Sequence, residues 1–108
     1  MNNSGVIYLL ESNECYKIGV TKNQSHISKR IKQLNTGNSN KIILVNLFEC
    51  EKYFKVEKAL HRKYAFQKTE TNNEWFNLTP EQVSSFTADC ESFCDNLTFI
   101  FNNNIFLK

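Results

Sequence analysis

A single proline and three glycines in 108 residues exclude a linker-rich or collagen-like chain, and no segment repeats another. No apolar run approaches the roughly 20 residues that span a bilayer, so no membrane partner is expected. The N-terminus lacks a basic stretch followed by an apolar one, so no secretory signal is read and an intracellular location is expected. Cysteine is limited to Cys15, Cys50, Cys90 and Cys94, and without an export signal these are expected to be free thiols with no disulfide partner. A zinc site needs close cysteine spacing with histidines beside it, which His26 and His61 do not supply.

Acidic residues are missing from one long stretch. Residues 17–41 contain Lys17, Lys22, Lys29, Arg30, Lys32 and Lys41 and neither Asp nor Glu, whereas Glu81, Asp89, Glu91 and Asp95 make the tail acidic. A local basic field within a net charge of only +2 fits a phosphate-bearing partner. Taken alone, such a run is more often a solvated helix face. Aromatic residues are plentiful: nine Phe, four Tyr and one Trp supply much of the volume for one modest core.

The pattern reads as an α+β domain covering 1–108, with a core over about 5–78 and a helical extension over 79–108. Val6 to Leu10 and Tyr16 to Val20 are β-rich runs around Glu11-Ser12-Asn13-Glu14, which predicts an antiparallel hairpin. Ser25 is placed to cap a helix carrying Ile27, Ile31 and Leu34, and Gly37 to end it. "KIILVNLFEC" (41–50) predicts a third strand buried on at least one face, completing a three-stranded antiparallel sheet. Tyr53, Val56, Leu60 and Tyr64 return to helical period. "NEWFNL" (73–78) reads as an extended piece around a buried Trp75. Thr79, Pro80 and Gln82 open a last helix with Val83, Phe86, Cys90, Phe93, Leu97 and Phe101 on one side. That face is core packing, or a homodimer surface if Phe86, Phe93 and Phe101 stay exposed.

Alternation along the second strand puts Lys17, Gly19 and Thr21 on one face and Tyr16, Ile18 and Val20 on the other. Arg30 flanks the apolar stripe of the first helix, and Glu57 and His61 are stacked one turn apart on the second. Each has an ordinary explanation: a half-buried strand tyrosine at Tyr8, a solvated arginine, a surface Glu–His pair, and a strand-initiating acid at Glu74.

Together, "GVIY" (5–8), "YKIGVT" (16–21), "SKRIKQLNTGN" (28–38), "VEKALHRKYA" (56–65) and "NEWF" (73–76) carry a resemblance. In this order they resemble the GIY-YIG nuclease superfamily, most closely the branch of phages, large DNA viruses and some fungi that reads "KIG" for "YIG". The resemblance implies a divalent-metal-dependent endonuclease acting on DNA, or a DNA-binding module that keeps the fold without the chemistry. On the positions that match, Tyr8 would activate water or position the phosphate, Arg30 would hold the scissile phosphate, and Glu57 would bind a single Mg²⁺ or Mn²⁺. His61 would transfer a proton or contact phosphate, and Lys17 stands where the second tyrosine does in other branches. Gly19 would let a phosphate approach the strand, and Glu74 is a second candidate ligand. Lys22, Lys29, Lys32 and Lys41 are the expected DNA contacts.

Overall fold

Residues 5–10 are almost unbrokenly apolar, and such a run belongs in a strand covered on both faces. The computed structural model, which describes residues 4–37, 41–69 and 75–103 with side chains to residue 98, places it there. Strand β1 (Gly5–Ser12) is central, between β2 (Cys15–Thr21) and β3 (Ile43–Cys50), and both pairings are antiparallel. The expected hairpin turn narrows to Asn13-Glu14, because pairing continues through Glu11↔Tyr16 and Ser12↔Cys15. Both turn residues have positive φ, 52° and 65°, as a two-residue hairpin loop matched to strand twist requires. The Tyr16 hydroxyl donates to Glu11 across this pair at 2.8 Å. That hydrogen bond, burial and the neighbouring acids raise the phenol's pKa.

The two faces of β1 define two cores. Val6, Tyr8 and Leu10 pack with Ile27 and Ile42 under helix α1 (Ser25–Asn35). Ile7 and Leu9 pack on the other side with Ile18, Val56, Leu60, Tyr64 and Phe76, beneath α2 (Tyr53–Lys63) and α4 (Phe86–Asn103). α1 therefore lies across the sheet from α2 and α4.

Local chemistry explains where elements begin and end. Asn23, not Ser25, organises the entry to α1: its Oδ1 accepts from the Ser25 N–H at 3.0 Å and the Ser25 hydroxyl at 2.8 Å, leaving Ser25 as the first helical residue. Gly37, at φ 73°, follows the helix end as expected. Asn35 accepts from the Ile42 N–H at 2.7 Å and donates to the Ile42 carbonyl at 3.3 Å, tying α1 to the approach to β3. β3 departs from expectation in its first half, where Ile43, Leu44 and Val45 are exposed. An irregularity opposite Leu9–Leu10 sets Leu9 against Asn46 and Leu10 against Leu44, leaving Val45 between them.

The last helix is two. α3 (Pro80–Ser84) carries the predicted capping box of Thr79 and Gln82, and the chain breaks at Ser85 before α4. The Ser85 hydroxyl turns back to the Gln82 carbonyl at 3.1 Å and also meets Asp89, competing with a continuous ladder. Asp89 also receives the Tyr64 hydroxyl and pairs with Lys63 at 2.9 Å, joining α2 to α4. Burial alone would raise the Asp89 carboxyl, but the Tyr64, Lys63 and Ser85 contacts outweigh it and hold its pKa low. Phe86 is buried and the partly buried Phe93 packs against the same core, so both contribute to core packing. The Phe101 side chain lies outside the described residues, as does Glu74. Of the "NEWF" pair that is described, Phe76 is fully buried and Trp75 only partly so. Phe76 bridges the outer edge of β2, donating to and accepting from the Tyr16 backbone at 2.7 and 2.8 Å.

The four cysteines are free thiols, Cys50 and Cys94 with sulfurs 2.9 Å apart. Burial, and for Cys50 the neighbouring Cys94 thiol, push Cys50 and Cys90 up to about 12, so both are protonated at neutral pH. Among the described residues no helix is long and apolar enough to cross a membrane.

Candidate functional site

Because β2 is an edge strand and α1 crosses one face of the sheet, a cleft opens where they meet. It has a volume of about 330 Å³, and Tyr8, Thr21, His26, Lys29 and Arg30 are among its lining residues, none of which is acidic. Tyr8 reaches it from the central strand. Its partner in register is Gly19, and its phenol lies over that glycine: a Cβ built there would sit 2.5 Å from the hydroxyl oxygen. Gly19 therefore makes room for Tyr8, where the sequence suggested room for a phosphate. Gly5 does the same for Tyr53 on the opposite face, where an added Cβ would lie 2.5 Å from the ring.

α1 presents one flank to the cleft. His26, Arg30 and Gln33 recur at i, i+4 and i+7, with Lys29 beside them. Lys32 follows Arg30 by two residues, about 200° around the axis, and so lies on the far flank. Of the expected DNA contacts, Lys29 lines the cleft and Lys22 lines a separate hollow with Glu49, while Lys32 and Lys41 are exposed elsewhere. Thr21 is engaged locally: its hydroxyl donates to the Asn23 carbonyl at 3.2 Å and accepts from the Asn23 N–H at 3.3 Å. Lys17 is on the Tyr8 face, paired with Leu10, one step along the hairpin from Gly19.

Glu57 and His61 approach β2 from the other side of the sheet. Their helix buries Val56 and Leu60 in the Ile7–Leu9 core, and Glu57 is not among the residues lining the cleft. His61 Nε2 lies 3.0 Å from the Ile18 carbonyl. A carbonyl only accepts, so this nitrogen carries the proton, and the ring is further held edge-on against Phe76, 5.1 Å between centroids. His61 thus pins α2 to the outer edge of β2 and leaves Nδ1 for other work. Glu57 is half-buried. Burial raises its carboxyl pKa, offset in part by His61 and Lys58. β2 divides the two groups: Val20 lines the cleft and packs on the α2-side core, and Ile18 meets His61.

His26 and Gln33 are site residues that sequence reasoning missed. Their signal was the i+4 and i+3 spacing about Arg30, readable only once the flank of α1 that faces β2 is known.

Among the described residues, no three or more His, Cys, Asp and Glu side chains gather as a metal cluster. A half-buried carboxylate whose charge is opposed by burial nevertheless suits a Mg²⁺ ion, which needs one or two carboxylates and keeps most of its waters. Glu57 fits that donor role.

No solved structure matches the chain. A curated relative, "Uncharacterized protein 460R" of Invertebrate iridescent virus 6, is 29% identical over 110 residues, covering 95% of this chain and 43% of that protein. The chain thus spans less than half of that viral protein's length. The T5orf172 domain model matches residues 5–91, from the start of β1 into α4. The chain belongs to the T5orf172 domain family, a nuclease-like domain associated with phages and viruses.

Proposed function

We propose that this domain is a divalent-metal-dependent DNA endonuclease of the GIY-YIG type. The observation that carries the reading is the acid-free cleft in which Tyr8 of the central strand meets Arg30, Lys29 and His26 of α1. A phosphodiester entering it finds a guanidinium able to grip two nonbridging oxygens and a lysine adding point charge. Tyr8, held over Gly19, presents a phenol that orients the attacking water or the phosphate. Lys17 extends the positive field along the same face of β2. Glu57 would hold the cation, with His61 fixing that side of α2 against the strand. When bound, Mg²⁺ supplies positive charge to the phosphate oxygens and acidified water for the leaving group.

The test is nicking of supercoiled DNA in Mg²⁺ or Mn²⁺, with EDTA as control. Nicking that stops with EDTA and is absent from Glu57→Ala, while Arg30→Ala loses both nicking and binding, is the expected result. A DNA-binding module without turnover is the second reading, favoured by Glu57 lying outside the cleft lining. Binding with no cleavage under any divalent metal decides for it.

A further inference from the structure

The cleft uses the cations of α1 and none of those on α2. Between residues 50 and 69 the chain carries Lys52, Lys55, Lys58, Arg62, Lys63 and Lys68 against Glu51 and Glu57. Stepping 100° per residue away from buried Tyr53, Val56 and Leu60, Glu57 and His61 come first, on the β2 flank. Phe54, Lys58 and Arg62 come next, at i, i+4 and i+8, as the outermost row. Lys63 is on the opposite flank, engaged with Asp89. Lys58, Arg62 and Lys68 are exposed.

Two phenylalanines bracket this row in water. Phe54 is 58% exposed and Phe66, in the 3₁₀ turn Ala65–Gln67, is 101% exposed. The core takes its aromatic volume from Tyr53, Tyr64, Phe76 and Phe86 and leaves Phe66 out; the Phe54 ring is tilted 32° against Tyr53, 4.5 Å between centroids, and is still more than half exposed. Phosphates satisfy a basic row, but a duplex offers an exposed ring little, because its bases are already stacked on one another. Unpaired bases have free faces, and aromatic side chains interleaved with cations are how single strands are held.

We propose that the outer face of α2, extended by Phe66, binds single-stranded DNA. Lys58, Arg62 and Lys68 meet its phosphates, and Phe66, with Phe54, stacks on its bases. This surface is separate from the cleft, since α1 and α2 lie on opposite faces of the sheet. The two approach each other at β2, where His61 meets Ile18 and Val20 lines the cleft.

The experiment is fluorescence anisotropy of the 108-residue chain with a labelled oligothymidylate of about 20 nucleotides and with a duplex of equal length, across 50–200 mM salt. Phe66→Ala, at a solvent-exposed position that spares the fold, is expected to weaken single-strand binding by about 5- to 150-fold, the equivalent of one lost stack. Duplex binding stays within about twofold, the experimental margin. Lys58→Ala/Arg62→Ala lowers the single-strand log–log salt slope by about 1.4, at roughly 0.7 per phosphate. No single-strand binding by the unmodified chain, single-strand affinity unchanged in Phe66→Ala, or equal losses on both DNAs would each overturn the proposal. Arg30→Ala on the duplex reports on the cleft alone: unchanged duplex affinity there counts against the cleft reading and not against this surface.

Discussion

Replacing Gly19 by alanine tests whether the Tyr8 phenol occupies the space above that residue. The new Cβ would stand 2.5 Å from the hydroxyl oxygen, 2.6 Å from Cζ and 2.8 Å from Cε1. The ring has little room to retreat: Tyr8 is 7% exposed and packed with Val6, Leu10, Ile27 and Ile42. Overpacking of this kind costs about 1–3 kcal/mol. In an unobstructed strand, glycine is itself worse than alanine by about 0.5–1 kcal/mol, so Gly19→Ala should be destabilising by up to about 2.5 kcal/mol net. Tyr8→Leu removes the three clashing atoms and keeps a packed side chain. In that background Gly19→Ala should change sign and stabilise by about 0.5–1 kcal/mol. Urea unfolding of the four proteins, compared at equal m-values, reads the coupling. If Gly19→Ala is equally destabilising with and without the Tyr8 ring, the glycine serves something other than Tyr8 and the account of the cleft wall fails.

The low pKa of Asp89 makes its contribution to stability dependent on acid. That contribution is full above the ordinary aspartate pKa of about 3.9 and disappears as pH falls through the lower folded value. Asp89→Asn should therefore be less stable than the unmodified chain by about 1.5–3 kcal/mol at pH 7, the worth of a hydrogen bond to a charged group. The gap should narrow as acid carries the pH below the ordinary aspartate value and through the lowered folded one, and a gap that does not narrow in acid would contradict the ionic account. Glu57 has the opposite sign: its raised carboxyl contributes stability below the usual glutamate value of about 4.3 that is lost as pH rises through its folded pKa. Glu57→Gln is accordingly expected to unfold at higher urea than the unmodified chain at pH 7 and at the same urea near pH 4; a lower midpoint at pH 7 would sink this reading.

Much of the fold is legible in local chemistry. Alternation around Lys17, Gly19 and Thr21, the stripe of Ile27, Ile31 and Leu34, and the Thr79–Gln82 capping box each occur as their spacing predicts. The rest depends on contacts distant in sequence. That β1 is central follows from pairing with Ile43–Cys50, some 40 residues away. Asp89, which meets Ser85 at the break, also reaches Tyr64 and Lys63, contacts no local spacing reveals. For the site, spacing brings Tyr8 over Gly19 and Arg30 to the same cleft. It does not reveal that α2 packs on the other face of the sheet, because Val56 and Leu60 would satisfy either face. The basic row of α2 is hidden in the sequence for a related reason: its cations are interrupted by Glu57, and only the helical turn separates that acid from Lys58 and Arg62.

In the proposed nuclease, Glu57 holds the cation for chemistry without holding the DNA, whereas Arg30 in the cleft grips the phosphate and is needed for both. Single-turnover cleavage of a labelled duplex in Mg²⁺, measured beside duplex affinity for the unmodified chain and Glu57→Gln, addresses this division directly. The account predicts a rate at least about 100-fold lower in Glu57→Gln, the scale of losing one charge-stabilising group, with affinity within about twofold. Cleavage at an undiminished rate, or a loss of rate matched by an equal loss of affinity, would contradict it.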